Sequence, residues 1–163
     1  MSDQETLERV QDDALKLLAY RPRSRAELQA ALGRKGYSEE LINQVLVRLE
    51  RAGWVDDAQF AALWVRQRAR TKALGRDRLR WELHRKGIDR ETAEAALAAE
   101  ADEDSEWSRA RAVAAKARSQ LAGIEPPKAA RRLAERLARR GFRSDLIWRV
   151  VRETFAGGEE TPE

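Results

Sequence analysis

The stretch "LGRKGYSEEL" (Leu32–Leu41) returns twice, as "LHRKGIDRET" from Leu83 and as "LARRGFRSDL" from Leu137. In each copy a leucine is followed four residues later by a glycine, basic residues precede that glycine, and an apolar residue (Tyr37, Ile88 or Phe142) follows it. A glycine at this distance from a core leucine closes a helix in the left-handed conformation, which only glycine adopts without steric cost. Lys and Arg in the last turn suit the helix dipole, and the apolar residue packs back on the helix that has just ended. Ser38 and Asp89 are natural N-caps for the next helix. In the third copy Arg143 occupies the aligned position, and Ser144 is expected to be the cap. Each copy therefore reads as the corner of a helix–turn–helix pair.

Gly36, Gly87 and Gly141 are 51 and 54 residues apart, a period that marks a tandem array. Hydrophobic periodicity is helical almost throughout: Leu7, Val10, Ala14, Leu17 and Leu18 form one stripe, and Leu41, Val45 and Leu49 another. Ser24 with Glu27 and Asp56 with Gln59 have capping-box spacing, and Pro126 and Pro127 suit a first helical turn. These signals predict helices over 4–20, 24–35, 38–52, 56–72, 76–86, 89–101, 104–121, 127–140 and 144–156. The fold class is all-α: three tandem three-helix repeats at 1–55, 56–103 and 104–156 in an elongated, curved array, with a disordered tail at 157–163.

The chain has no cysteine, which excludes disulfides, thiolate metal sites and cysteine nucleophiles. His84 is the single histidine and has no acid–base or metal constellation near it in sequence. The acids of 100–106 lack the spaced ligands and glycine turn of a calcium loop, and no glycine-rich phosphate loop occurs. No enzyme activity, cofactor or metal is expected. No run of about 18 apolar residues occurs and the polar, acidic start "MSDQETLERV" is unlike a signal peptide, so a soluble cytoplasmic protein with no membrane partner is expected; the expected oligomeric state is a monomer.

The formal net charge of +4 is unevenly spread. Residues 64–90 sum to +7, 91–107 to −7 and 108–143 to +9. On the helix predicted for 127–140, Lys128, Arg131, Arg132, Arg136 and Arg139 gather on one arc with only Glu135 among them. Such an arc suits a polyanion or an acidic protein partner, and the alternative is a solvated face. In the middle repeat Arg66 and Arg70 share an outward face, while Arg68 and Lys72 point towards the helix end. Arg78, Trp81 and Arg85 lie opposite Leu79 and Leu83. Trp81 between two arginines suits stacking on a base or docking in a partner's groove, or else packing on a neighbouring repeat. Lys86 stands in the final turn, and Arg78 and Lys86 have Glu82 within reach as an ion-pair partner. The approach "RLERAGWV" (Arg48–Val55) is like that to a winged-helix wing, but Asp56 and Asp57 open another apolar helical run, so no wing is expected.

Taken in order, "SRAELQAALGRKGYSEELI" (Ser24–Ile42), "GWVDDAQFAALWVRQRA" (Gly53–Ala69) and "GRDRLRWELHRKGI" (Gly75–Ile88) resemble the RecX family, regulators of the bacterial recombinase RecA. In the third repeat "RRLAERLARRGFRSDLI" (Arg131–Ile147) carries the likeness, which spans about residues 14–155. Trp81 departs from the family pattern, which has a polar residue there. The resemblance implies tandem three-helix repeats, binding along the groove of RecA–DNA filaments, and suppression of ATP hydrolysis, strand exchange and stimulated repressor self-cleavage. Its partners would be the RecA filament and DNA within it. The other reading is a helical-repeat protein that acts directly on nucleic acid.

Overall fold

The computed structural model describes residues 2–100 and 103–156; among them are nine helices and no strand. These are α1 (Asp3–Tyr20), α2 (Arg25–Arg34), α3 (Glu39–Arg51), α4 (Asp57–Lys72), α5 (Arg76–Arg85), α6 (Arg90–Ala99), α7 (Glu103–Gln120), α8 (Pro126–Arg139) and α9 (Ser144–Phe155). The expected spans agree to within one or two residues. The tail 157–163 lies outside the described residues.

The corners take the expected form. Gly36, Gly87 and Gly141 have φ of 92°, 74° and 85°, each just beyond a helix C-terminus. Gly87 N donates to His84 O at 3.0 Å and Ile88 N to Leu83 O at 3.0 Å; Gly141 N and Phe142 N donate likewise to Ala138 O and Leu137 O. These paired bonds satisfy carbonyls that the end of the helix leaves open. Ile88 and Phe142 are buried. Tyr37 packs on the first core and donates its hydroxyl to Asp13. The stretch before α4 is another such corner rather than the approach to a wing. Gly53 has φ 81°, Gly53 N donates to Glu50 O, and both Trp54 N and Val55 N donate to Leu49 O.

Side-chain caps hold the helix starts. Ser24 and Glu27 form a reciprocal capping box, Ser38 Oγ accepts from Leu41 N, Asp56 Oδ1 from Gln59 N, and Asp89 Oδ1 from Thr92 N. The third corner corrects the expectation for Ser144. That serine is already the first residue of α9, and Arg143 is the N-cap, with no side-chain cap bond. The bond from Phe142 N to Leu137 O fixes the length of the turn, and burial of Leu146, Ile147 and Val150 fixes the register of the helix. The start of α9 therefore cannot slip by one residue to use the better cap.

The chain divides into two compact units, residues 1–63 with 83–95, and residues 64–82 with 96–163; the divisions fall inside α4, α5 and α6. The first has a core of Leu7, Val10, Ala14, Leu28, Leu32, Ile42, Val45, Leu46, Leu49 and Val55, with Leu17, Leu18 and Leu41 half-buried against it. In the second, Ala110, Val113, Ala114 and Ala117 of α7 pack with Leu133 and Leu137 of α8 and Ile147 and Val150 of α9.

Inside each unit a corner docks on the N-terminus of a helix from the preceding repeat. In the first, Ser24 Oγ donates to Lys86 O at 2.6 Å, Asp57 Oδ1 accepts from Arg25 N at 2.8 Å, and a Cβ on Gly87 would stand 2.3 Å from Ala26 Cβ. In the second, Gly75 N donates to Arg140 O at 2.7 Å and Asp77 N to Gly141 O at 3.1 Å. There Glu106 Oε1 accepts from Arg76 N at 3.2 Å, and a Cβ on Gly141 would stand 2.2 Å from Arg78 N. The open amides at the starts of α2 and α5 thus find carbonyl or carboxylate acceptors. The glycine of each docking corner serves twice, for its positive φ and for the close approach. Gly36 has no neighbour of this kind, and a Cβ there would meet open space.

Candidate functional site

Three acids of the middle and third repeats, Glu82, Glu100 and Glu106, are committed to structure. Glu82 is 5% exposed and takes a two-pronged contact from Arg68, Nε to Oε1 at 2.8 Å and Nη2 to Oε2 at 3.0 Å. The Arg68 guanidinium also lies 5.5 Å from the Trp64 ring centre. Its hydrogen bond to Glu82 pushes the Arg68 pKa up. The partner of Glu82 is therefore Arg68, fourteen residues away in sequence on α4, rather than the nearby Arg78 or Lys86. Glu106 holds the start of α5, and Glu100 pairs with Arg66 at 3.6 Å. Burial pushes the Arg109 guanidinium down against the opposing pull of Glu106 and Glu100, and its Nε donates to Leu74 O.

In the first unit, Glu27 ties together Arg21, Ser24 N and Lys86, whose Nζ stands 3.5 Å from Glu27 Oε2. Burial pushes the Glu27 carboxyl up, but the Arg21 guanidinium, the Ser24 amide and Lys86 together hold it below the usual range. Burial likewise pushes Asp57 up, and neighbouring Glu50 and Asp89 add to this against the Arg25 amide. Lys86 thus stands at the docked corner, with its carbonyl on Ser24 and its ammonium near Glu27.

The other residues of the middle repeat separate. Arg66 and Arg70 are exposed on α4, and Arg66 engages Glu100. Trp81 is 48% exposed, and the half-buried Arg78 sets its guanidinium 4.3 Å from the centre of that ring. Such a cation–π pair holds both side chains at the surface as one plate. Arg85 is exposed, and like Lys86 it falls in the first unit, whereas Arg66, Arg70, Arg78 and Trp81 fall in the second.

On α8 the expected arc forms. Ala129, Leu133 and Leu137 are buried, and Lys128, Arg131, Arg132 and Arg139 are exposed. Arg136 is half-buried and donates to Gln120 Oε1 at 2.8 Å. The end of this arc meets the end of α4. Arg70, Lys72, Lys116, Arg136, Arg139 and Arg140 surround a cleft of about 650 Å³ with Ala73, Ala112 and Val113 in its lining. Three of the six (Lys72, Lys116 and Arg140) were not selected from the sequence. The cleft is assembled from α4, α7 and the α8 corner, and no single-helix wheel contains it. The run "RR" at 139–140 was the only local signal.

The cleft wall is tightly specified. Ala73 adopts φ 49°, the one non-glycine residue with positive φ among those described, a conformation that costs about 1–2 kcal/mol. The segment is held by the Arg140 guanidinium on Lys72 O, by Arg109 on Leu74 O, and by Gly75 N on Arg140 O. No helix among the described residues is long and apolar enough to cross a membrane.

Comparison with known proteins agrees with this architecture. Models of the first, second and third three-helix domains of RecX match residues 12–49, 56–97 and 103–151 in that order. The chain is 41% identical over 160 residues to Regulatory protein RecX of Amycolatopsis mediterranei, covering 97% of this chain and 91% of that relative. It is 40% identical over 152 residues to Regulatory protein RecX of Mycolicibacterium vanbaalenii, covering 90% and 82%. Its fold matches the crystal structure of RecX from Lactobacillus salivarius with a TM-score of 0.86 at 23% identity, over 93% of this chain and 97% of that one. The chain belongs to the RecX family of regulatory proteins.

Proposed function

We propose that this chain acts by binding rather than catalysis, as an inhibitor of RecA that engages RecA–DNA filaments and suppresses ATP hydrolysis, strand exchange and co-protease activity. The observation that carries this reading is the α8 helix, anchored by fully buried Leu133 and Leu137 while Lys128, Arg131, Arg132 and Arg139 face outward. A cationic face on a rigid helix suits a polyanionic filament groove. Exposed Arg66 and Arg70 and the stacked Arg78–Trp81 pair add further cations on the same unit, and the first unit contributes Arg85 and Lys86. Small patches on linked repeats gain effective concentration when they reach neighbouring subunits or the DNA. Dispersed charges act mainly on association rate and phosphate neutralisation, so no single one dominates.

The six-cation cleft favours a second reading, in which the protein binds DNA directly and affects recombination by competition. Co-sedimentation with preformed RecA–DNA filaments and with naked single-stranded DNA across a salt series separates the two. Tighter binding to filaments with the shallower salt slope supports the regulator. Equal affinity for naked DNA with a steep slope supports direct DNA binding.

A further inference from the structure

We infer that the cleft between the ends of α4 and α8 and the middle of α7 holds the sugar–phosphate backbone of a nucleic-acid strand and reads its charge without reading its bases. The inference rests on the proposed function only in taking nucleic acid as part of the surface that the protein recognises. Of the six cations, Arg136 is fixed on Gln120 and Arg140 on Lys72 O. Arg70, Lys72, Lys116 and Arg139 are exposed, and among the described residues none of the six pairs with a carboxylate. Gathering six like charges around one cleft raises the energy of the empty protein, and an anion seated there relieves it.

The lining distinguishes the kind of anion. It contains no aromatic ring, only cations, Thr71, Gln120 and the small apolar residues. Base stacking on aromatic rings, which supplies much of the affinity of sequence-neutral single-strand grooves, is therefore absent, and the charged side chains are left to bind the backbone. A compact polyphosphate is usually held by backbone amides at a helix N-terminus. Here α4 and α8 offer their C-terminal turns, whose carbonyls repel an anion, and the start of α5 is already occupied by the Arg140–Gly141 corner. Recognition falls to long, separately placed side chains, which suit successive phosphodiesters better than one dense charge. The corner bonds and the left-handed Ala73 fix the wall from which Arg70 and Lys72 project.

The test uses the full chain without RecA, so that failure of the regulator reading does not bear on it. Fluorescence anisotropy is recorded for labelled oligothymidylate and oligoadenylate over a salt series. The double variant Lys116→Gln with Arg139→Gln is compared with Arg34→Gln with Arg48→Gln, the same charge change on exposed residues of the first unit, and circular dichroism checks that both fold. The cleft variant is expected to lose about tenfold or more in affinity at low salt. Its slope of log K against log salt should be shallower by about 1.4, the value for two lost phosphate contacts on a single strand. Both oligonucleotides should be affected equally, and the control pair should change much less. Equal losses in the two variants would mean that binding follows net charge alone, and would overturn the assignment. So would undetectable oligonucleotide binding by the parent. If tripolyphosphate at equal phosphate concentration displaces the oligonucleotide completely, the cleft is a compact-anion site and the nucleic-acid assignment is wrong.

Discussion

Replacing the corner glycines by alanine separates the conformational role of these residues from their packing role. A side chain in the left-handed conformation costs about 1–2 kcal/mol, and Gly36→Ala should cost that amount and no more, because its Cβ would meet open space. Gly87→Ala carries the same term and also sets its Cβ 2.3 Å from Ala26 Cβ. Relieving that overlap adds about 1–3 kcal/mol, the usual cost of overpacking. At Gly141 the obstacle is the backbone of Arg78, at 2.2 Å from its nitrogen, and the corner must retreat from the bonds of Gly75 N and Asp77 N. At about 1 kcal/mol for each bond lost, Gly141→Ala should be the most damaging of the three. Urea unfolding followed by circular dichroism measures the series, and Gly36 and Gly87 share a unit, so their shifts are directly comparable. Adding Ala26→Gly to Gly87→Ala removes the overlap but leaves the backbone term, and the cycle should return a favourable coupling of about 1–3 kcal/mol. Equal losses at Gly36 and Gly87 with no coupling to Ala26 would mean that the glycine is there only for its φ, and would refute the docked corner.

Arg68→Ala strands Glu82 in a buried position without its two-pronged partner and should cost about 1.5–3 kcal/mol, read as a fall in the urea midpoint; an unchanged midpoint would place Glu82 in water. Glu27 is held below its ordinary value near 4.5, so its contribution is present above that pH and lost as pH falls through the folded value. Glu27→Gln should accordingly be less stable than the parent at pH 7, with the gap narrowing below about pH 4.5; a constant gap in thermal melts across pH 3 to 7 would contradict this. Reversing Lys128, Arg131 and Arg132 to Glu should weaken co-sedimentation with RecA–DNA filaments while far-ultraviolet circular dichroism is unchanged; undiminished binding would make the arc a solvated surface.

Local rules made the helices legible. Corner glycines, caps and the 3.6-residue period are written in adjacent residues, and each needs only its own turn to act. At Gly53 the apolar helical run after Asp56 and Asp57 excluded a wing, and the glycine's bond pattern is that of the other corners. Ala73 gave no signal, because alanine does not ordinarily take a left-handed φ and does so here only under tertiary restraint. The docking of Gly87 on Ala26, 61 residues earlier, depends on how successive repeats pack, which no spacing rule expresses. The same holds for Glu82, which looked like a partner for its own helix until α4 brought Arg68 to it. The arc on α8 was readable because it belongs to one helix. The cleft was not, because Lys116 and Lys72 become neighbours only when α7 packs beside the end of α4.

The most direct test of the regulator reading is ATP hydrolysis by RecA on single-stranded DNA already in excess. Titrating this chain into that reaction should lower the rate progressively with dose, and adding further DNA should not restore it, because the target is the filament. A rate unchanged at every dose, or one fully restored by more DNA, would contradict the account.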